Sequence, residues 1–210
     1  AAPAGDITTY VNTILKNNLR NSVFVDVTAH SSVADVYMQL LGKAVSVVAC
    51  NKIACSASYE HYAKLKSLAR EFNAAFLFET NVGASLPIIG TLNDLIRSGD
   101  SINKIEAVLS GTLNFVFNNY DGTKPFADVV RQAQAEGYTE PDPRLDLGGT
   151  DVMRKIMILA REAGQKIDSS ILNWIFTQYA EDKFENIRYQ IDGGWNWMGS
   201  QEFVNAVSKI

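Results

Sequence analysis

Three short runs rich in β-branched and aromatic residues, Val23–Val27, Val45–Ala49 and Ala75–Glu79, each precede a stretch of helical spacing. No other feature restricts the fold as much. Continuous apolar runs of this length read as buried parallel strands. Strands alternating with helices over Val33–Leu41, Ser58–Phe72 and Leu86–Ser98 require βαβ units with right-handed crossovers. Ser31 or Ser32 can cap the first of these helices, and Gly42 and Gly99 close the first and third. An amphipathic helix over Tyr10–Leu19 precedes the first strand, with Val11, Ile14, Leu15 and Leu19 on one face. Asp26 interrupts the first apolar run near its carboxyl end. Ligands bind at the carboxyl ends of strands in such sheets. Three segments fall there: Thr28-Ala-His-Ser31, Asn51-Lys52, and Glu79-Thr-Asn-Val-Gly-Ala-Ser-Leu86.

After Asp100 the pattern changes. Lys104–Leu109 reads as a strand with alternation, Thr112–Asn119 as a short helix, and Phe126–Glu136 as a longer helix ending at Gly137. Gly148–Glu162 reads as a further helix stopped by Gly164. The expected organisation is a parallel-sheet α/β domain over residues 1–99, a second domain over 100–170, and an unassigned tail over 171–210 containing Trp174, Trp195 and Trp197.

Composition removes several classes of function. A net charge of -4 gives no general attraction to phosphate backbones or anionic lipid, so nucleic acid is not an expected partner. No apolar run approaches the roughly 20 residues that span a bilayer, and the amino-terminal residues lack the order of a signal peptide. A cytoplasmic location is the expectation. Cys50 and Cys55 have neither CxxC spacing nor that of a disulfide framework, and read as free thiols. With His30 and His61 the only histidines, no zinc site or Ser-His-Asp triad can be assembled, and acid–base chemistry falls to carboxylates and lysines.

Those groups concentrate in one run, Gly137-Tyr-Thr-Glu-Pro-Asp-Pro-Arg-Leu-Asp-Leu-Gly-Gly-Thr-Asp-Val-Met-Arg-Lys155. Its first half is expected not to be helical at all, because Pro141 and Pro143 each lack an N–H and restrict the residue before them. Its second half starts a helix that sets Asp151 and Lys155 four apart on one face. Glu140, Asp142 and Asp146 read either as a solvated turn or as a stiff acidic loop for a polar substrate, and Asp151–Lys155 either as a weak surface pair or as an acid–base pair at a cleft. Lys52 is either a solvated strand end or a cofactor contact. The turn at Gly83, with its carbonyls and Glu79, is either a plain connection or a hard-cation site. Ser110-Gly-Thr112 is an N-cap, with Thr112 otherwise available to a ligand.

Val25-Asp-Val-Thr28, Asn51-Lys52, Glu79–Ile89, Ser110-Gly-Thr-Leu-Asn114, Gly137–Arg144 and Asp146–Lys155, in this order, resemble homoserine dehydrogenase, including the dehydrogenase half of bifunctional aspartokinase–homoserine dehydrogenases. The resemblance covers about residues 20–170. It implies reversible oxidation of L-homoserine to L-aspartate 4-semialdehyde with NAD or NADP, in amino-acid biosynthesis, by a homodimer that pairs through its second, α+β substrate and dimerisation domain. It further implies that Lys155 transfers the proton beside Asp151, and that Glu140 and Asp146 bind the substrate's ammonium. Tyr138 and Thr112 would line the pocket, and Thr28, Ala29, Asn51 and Lys52 would face the cofactor. Glu79 with the carbonyls of Val82, Ala84 and Leu86 would hold a sodium ion. Family members carry a G-x-G-x-x-G-type loop ahead of this region; none precedes Val23, so the match is to an internal portion with an incomplete Rossmann-like sheet. Leu145 stands where the family often has a second aspartate. The rival expectation is a truncated, non-catalytic homologue that serves as a dimerisation or ligand-binding module.

Overall fold

The computed structural model describes residues 5–168, which divide into two units: residues 5–103 with Met157–Asp168, and Lys104–Ile156. The first unit opens with helix α1 (Ile7–Asn17), capped by the Asp6 carboxylate, which accepts from the Thr8 and Thr9 amides. Strands β1 (Val23–Asp26), β2 (Ser46–Ala49) and β3 (Phe76–Leu77) form a parallel sheet in the order β1-β2-β3. Val23 pairs with Ser46, Asp26 with Ala49, and Val47 with Phe76. Two pairs of helices make the crossovers: α2 (Ser31–Ala34) with α3 (Tyr37–Leu41), then α4 (Ile53–Ser56) with α5 (Tyr59–Glu71). A 3-10 turn over Glu79–Asn81 and helix α6 (Ile88–Arg97) follow β3.

The core lies on one face of this sheet. Phe24, Val47, Ala49 and Phe76 are buried with Tyr37, Leu40, Leu41 and Leu65. The Tyr37 ring meets Phe24 edge-on at 6.4 Å and Phe76 at 6.0 Å. On the opposite face Val23, Val25 and Leu77 are exposed. The first apolar run was therefore expected to be buried, and instead only alternate residues are, because described helices cover only one side.

Three further expectations need correcting. The single helix over Val33–Leu41 is broken between α2 and α3, and its cap is His30, whose Nδ1 accepts from the Ser32 amide at 3.4 Å, rather than Ser31 or Ser32. The break points Tyr37 beneath the sheet. Strand β3 is two residues long, because Glu79 leaves the strand to accept hydrogen bonds from the Ile89 amide at 2.8 Å and the Gly90 amide at 2.7 Å. Lys104–Leu109 forms no strand: a strand exists through its neighbour's hydrogen bonds, and no described residue supplies them.

The second unit holds α7 (Gly111–Asn119), α8 (Phe126–Ala135) and α9 (Pro143–Leu147). Ser110 caps α7 as expected, its Oγ accepting from the Leu113 amide at 3.1 Å. Val116, Phe126, Val129, Val130, Ala133 and Leu147 form its core. Helix α9 overturns the expectation that prolines bar helix from this stretch. Pro143 sits at the first helical position, where a missing N–H removes no bond, and Asp142 caps it.

Helix α10 (Thr150–Glu162) begins in the second unit, and from Met157 onward its residues belong with the sheet unit. Buried charges fix that end. The Arg161 guanidinium donates to the carbonyls of Cys55 at 2.7 Å and Ala57 at 2.8 Å and pairs with Asp168 at 3.1 Å. Glu162 accepts from Lys66 Nζ at 3.0 Å, Asn93 Nδ2 at 2.8 Å and the Tyr62 hydroxyl. No helix among the described residues is long and apolar enough to cross a membrane.

Candidate functional site

At the carboxyl edge of the sheet lie three buried polar side chains: Asp26, the last residue of β1, Asn51 just past β2, and Asn81 beyond β3. Asp26 is 1% exposed. Its Oδ2 accepts from the Tyr37 hydroxyl at 2.5 Å and from Asn51 Nδ2 at 3.0 Å, and its Oδ1 accepts from the Thr28 amide at 2.7 Å. Burial works to raise the Asp26 pKa, but the bonds from Tyr37, Thr28 and Asn51 outweigh it and hold the carboxyl below its ordinary value. Burial first, then the hydrogen bond to Asp26 and that carboxylate's charge, push the Tyr37 phenol well up.

Asn51 spends its amide on the protein itself. Its Nδ2 also donates to the His30 carbonyl at 3.0 Å, and its Oδ1 accepts from the Ile53 amide at 3.1 Å. Asn81, in the amide orientation that satisfies both its ends, donates to the Ala49 and Cys50 carbonyls at 3.0 Å each. Of the four expected cofactor-facing residues, the structure thus places Thr28 and Ala29 on the exposed edge, Lys52 half-buried beside it, and Asn51 beneath it. Cys50 and Cys55 are free thiols, and burial pushes the Cys55 thiol up.

Glu79 caps α6 with both carboxylate oxygens. In the turn that follows, Gly83 has φ +80°, and a Cβ there would come within 2.6 Å of Ile88 Cγ1, so glycine is required. The Leu86 carbonyl accepts from the Ile88 amide at 2.9 Å. Among the described residues no group of three or more His, Cys, Asp or Glu side chains is placed to hold a metal ion. The expected donor set, one carboxylate and the carbonyls of Val82, Ala84 and Leu86, is not of that kind.

The second unit gathers the remaining expected residues around the segment 109–112. The Lys155 ammonium pairs with Asp151 Oδ2 at 2.6 Å and donates to the Leu109 carbonyl at 2.7 Å. Three residues on, the buried Thr112 hydroxyl shares its proton between the Tyr138 carbonyl at 2.5 Å and Asp146 Oδ1 at 3.0 Å. Asp146 Oδ2 accepts from the Glu140 amide at 2.8 Å, closing the proline-containing loop on itself. The Tyr138 ring stacks on Phe115, centroids 4.3 Å apart and 24° from parallel. Glu140 is exposed, as is Leu145. Asp142 is instead taken up by Arg144: it accepts from Nε at 2.8 Å and Nη2 at 2.7 Å, and these bonds hold its carboxyl below the usual range.

The family model "Homoserine dehydrogenase, NAD binding domain" matches residues 1–79, and the model "Homoserine dehydrogenase" matches residues 87–186. The chain belongs to the homoserine dehydrogenase family. It is 47% identical over 171 residues to bifunctional aspartokinase/homoserine dehydrogenase 2, chloroplastic, of Zea mays, covering 81% of this chain and 18% of that protein. Homoserine dehydrogenase of Schizosaccharomyces pombe is 44% identical over 154 residues, covering 71% and 41%. A hyperthermophilic archaeal homoserine dehydrogenase solved in complex with NADPH superposes with a TM-score of 0.61 at 33% identity, covering 68% of this chain and 44% of that one. The chain therefore spans under half the length of these relatives.

Sequence reasoning missed Tyr37, Arg161 and Glu162. Asp26 was visible as a charged residue inside an apolar strand, but nothing local showed that it faces inward.

Proposed function

We propose that this chain takes part in the reversible, NAD(P)-dependent oxidation of L-homoserine to L-aspartate 4-semialdehyde. The observation that carries this reading is the Lys155 ammonium, held by Asp151 and by the Leu109 carbonyl three residues along the chain from Thr112, which itself joins Asp146 and Glu140 in one hydrogen-bonded cluster. Those two bonds use two of the three ammonium protons among the described residues, so a third direction remains for a substrate oxygen.

The division of labour follows from the donor types. Glu140, exposed on its loop, attracts the substrate's ammonium. Asp146 orients Glu140 through its backbone amide, and each Asp146 oxygen keeps a lone pair for the same ammonium. Thr112 and the Phe115-backed ring of Tyr138 form the wall. In oxidation, Lys155 in its neutral amine form takes the hydroxyl proton and becomes the ammonium as hydride leaves the carbon; in reduction, that ammonium returns the proton to the aldehyde oxygen. The nicotinamide, when bound, accepts or supplies that hydride.

Thr28, Ala29 and Lys52 offer exposed backbone, a hydroxyl and a cation at the sheet's carboxyl edge, which suits a dinucleotide. Asn51 supports these groups from below. A sodium ion at Glu79 with the Val82, Ala84 and Leu86 carbonyls fits in donor chemistry, because all four are hard oxygen ligands and each Glu79 oxygen retains a lone pair after capping α6. A homodimer formed through the second unit is supported by the exposed Val108 in the unpaired segment Lys104–Leu109.

The test is absorbance during titration of the chain with NADPH and aspartate 4-semialdehyde. Cofactor oxidation is expected. A folded chain that consumes none would contradict the reading and leave the ligand-binding or dimerisation module in its place.

A further inference from the structure

We propose that Asp26 is a positioning residue: from beneath the sheet edge it holds the Thr28–His30 and Asn51–Ile53 loops in the shape that receives the dinucleotide. The cofactor half of this inference rests on the reading just given; the clamp itself rests on geometry alone.

The buried carboxylate binds both loops at once. One oxygen fixes the first loop through the Thr28 amide; the other fixes the second loop through the Asn51 side chain. Asn51 then ties the loops to each other through the His30 carbonyl, and stops its own loop from sliding by accepting from the Ile53 amide. Tyr37 completes the carboxylate from below, and its ring is locked between Phe24 and Phe76. Among the described residues, the side-chain partners of Asp26 are neutral donors, so the charge is held by hydrogen bonds instead of by a cation.

Stability alone gives little reason for this arrangement. A buried acid in a strand is costly to desolvate, and apolar replacements at such sites are often as stable or more so. An apolar side chain at position 26, however, would release the Thr28 amide and the Asn51 amide together. The four residues expected at the cofactor, Thr28, Ala29, Asn51 and Lys52, all lie in or beside the two loops so released.

The test uses the full chain with two variants, Asp26→Asn and Tyr37→Phe. The second removes only a hydroxyl and keeps the ring packing, so it decides the matter if Asp26→Asn does not fold. Two readouts are taken where circular dichroism shows the variant folded: amide hydrogen exchange and NADPH affinity by cofactor fluorescence. The expected result is exchange at Thr28 and Ile53 at least about tenfold faster than in the wild type, with Val47 and Leu65 unchanged, and NADPH affinity about tenfold weaker. Unchanged exchange at Thr28 and Ile53 overturns the clamp. Faster exchange with unchanged NADPH affinity overturns its role toward the cofactor and leaves a purely structural acid. A wild-type chain that does not bind NADPH overturns the cofactor reading, and with it that half of this inference, while exchange still judges the clamp.

Discussion

Asp26 in the sheet unit and Asp146 in the second unit each fasten a loop by accepting a backbone amide, but their settings are opposite. Asp26 is sealed beneath the sheet edge with a phenol, an amide side chain and a peptide N–H around it. Asp146 is half-buried at a rim, with one hydroxyl and one peptide N–H as partners. A sealed carboxylate cannot exchange its partners for a ligand without opening the core, so it acts by holding shape. A rim carboxylate can share its remaining lone pairs with an incoming ammonium. Buried acids in this chain should therefore govern stability and loop order, and acids around the Lys155 cluster should govern substrate and rate.

The largest expected effect tests the rim side. Lys155→Ala should lower the rate of NADPH oxidation by about 10²–10⁴-fold, the usual worth of a general acid or base, without changing NADPH affinity. A variant at the wild-type rate would remove Lys155 from the chemistry. Next comes a buried acid. Glu162→Ala strands Lys66, Asn93 and Tyr62 around an emptied site, and should destabilise the sheet unit by about 3–5 kcal/mol in urea unfolding, the cost of breaking a buried pair. Loss within experimental scatter would mean that the cluster is solvated. Asp146→Ala should weaken L-homoserine binding about tenfold, on the scale of one charge-assisted hydrogen bond, and leave the thermal midpoint nearly unchanged. A large drop in midpoint with unaltered affinity would place Asp146 with the buried class.

The smallest effect is on acid sensitivity. The Asp26 carboxyl lies below its ordinary value in the fold, facing Tyr37 from α3, the Thr28 amide, and Asn51 beyond β2. Its contribution is complete above the unfolded value of about 3.9 and is lost as pH falls through the folded value. Acid titration by circular dichroism should show the sheet unit weakening below about pH 4, with a shallower slope in Asp26→Asn. Equal slopes would mean that the Asp26 carboxyl titrates alike in the folded and the unfolded chain.

The sheet unit's strands and crossovers were legible from apolar runs and helical spacing alone, because those patterns reflect local burial. What was not legible depends on distant partners. The break before Tyr37 follows from its bond to Asp26, eleven positions away. The attachment of Arg161 and Glu162 to the sheet unit spans about a hundred positions. The expected strand at Lys104–Leu109 failed for the converse reason, since alternation shows what a strand needs without supplying a neighbour. In the acidic run the Asp151–Lys155 pair was readable from its i,i+4 spacing and is present. Asp142, by contrast, is bound to Arg144 two residues on, a pairing that spacing on a helix does not show. Trp174, Trp195 and Trp197, left unassigned on sequence, lie outside the described residues.

The most direct test of the division of labour is two-dimensional amide NMR of the chain titrated separately with NADPH and with L-homoserine. The account predicts that NADPH shifts the amides of residues 27–31 and 50–53, and that L-homoserine shifts those of 109–112 and 138–155. Homoserine shifts confined to the sheet edge, or NADPH shifts confined to the acidic loop, would contradict it.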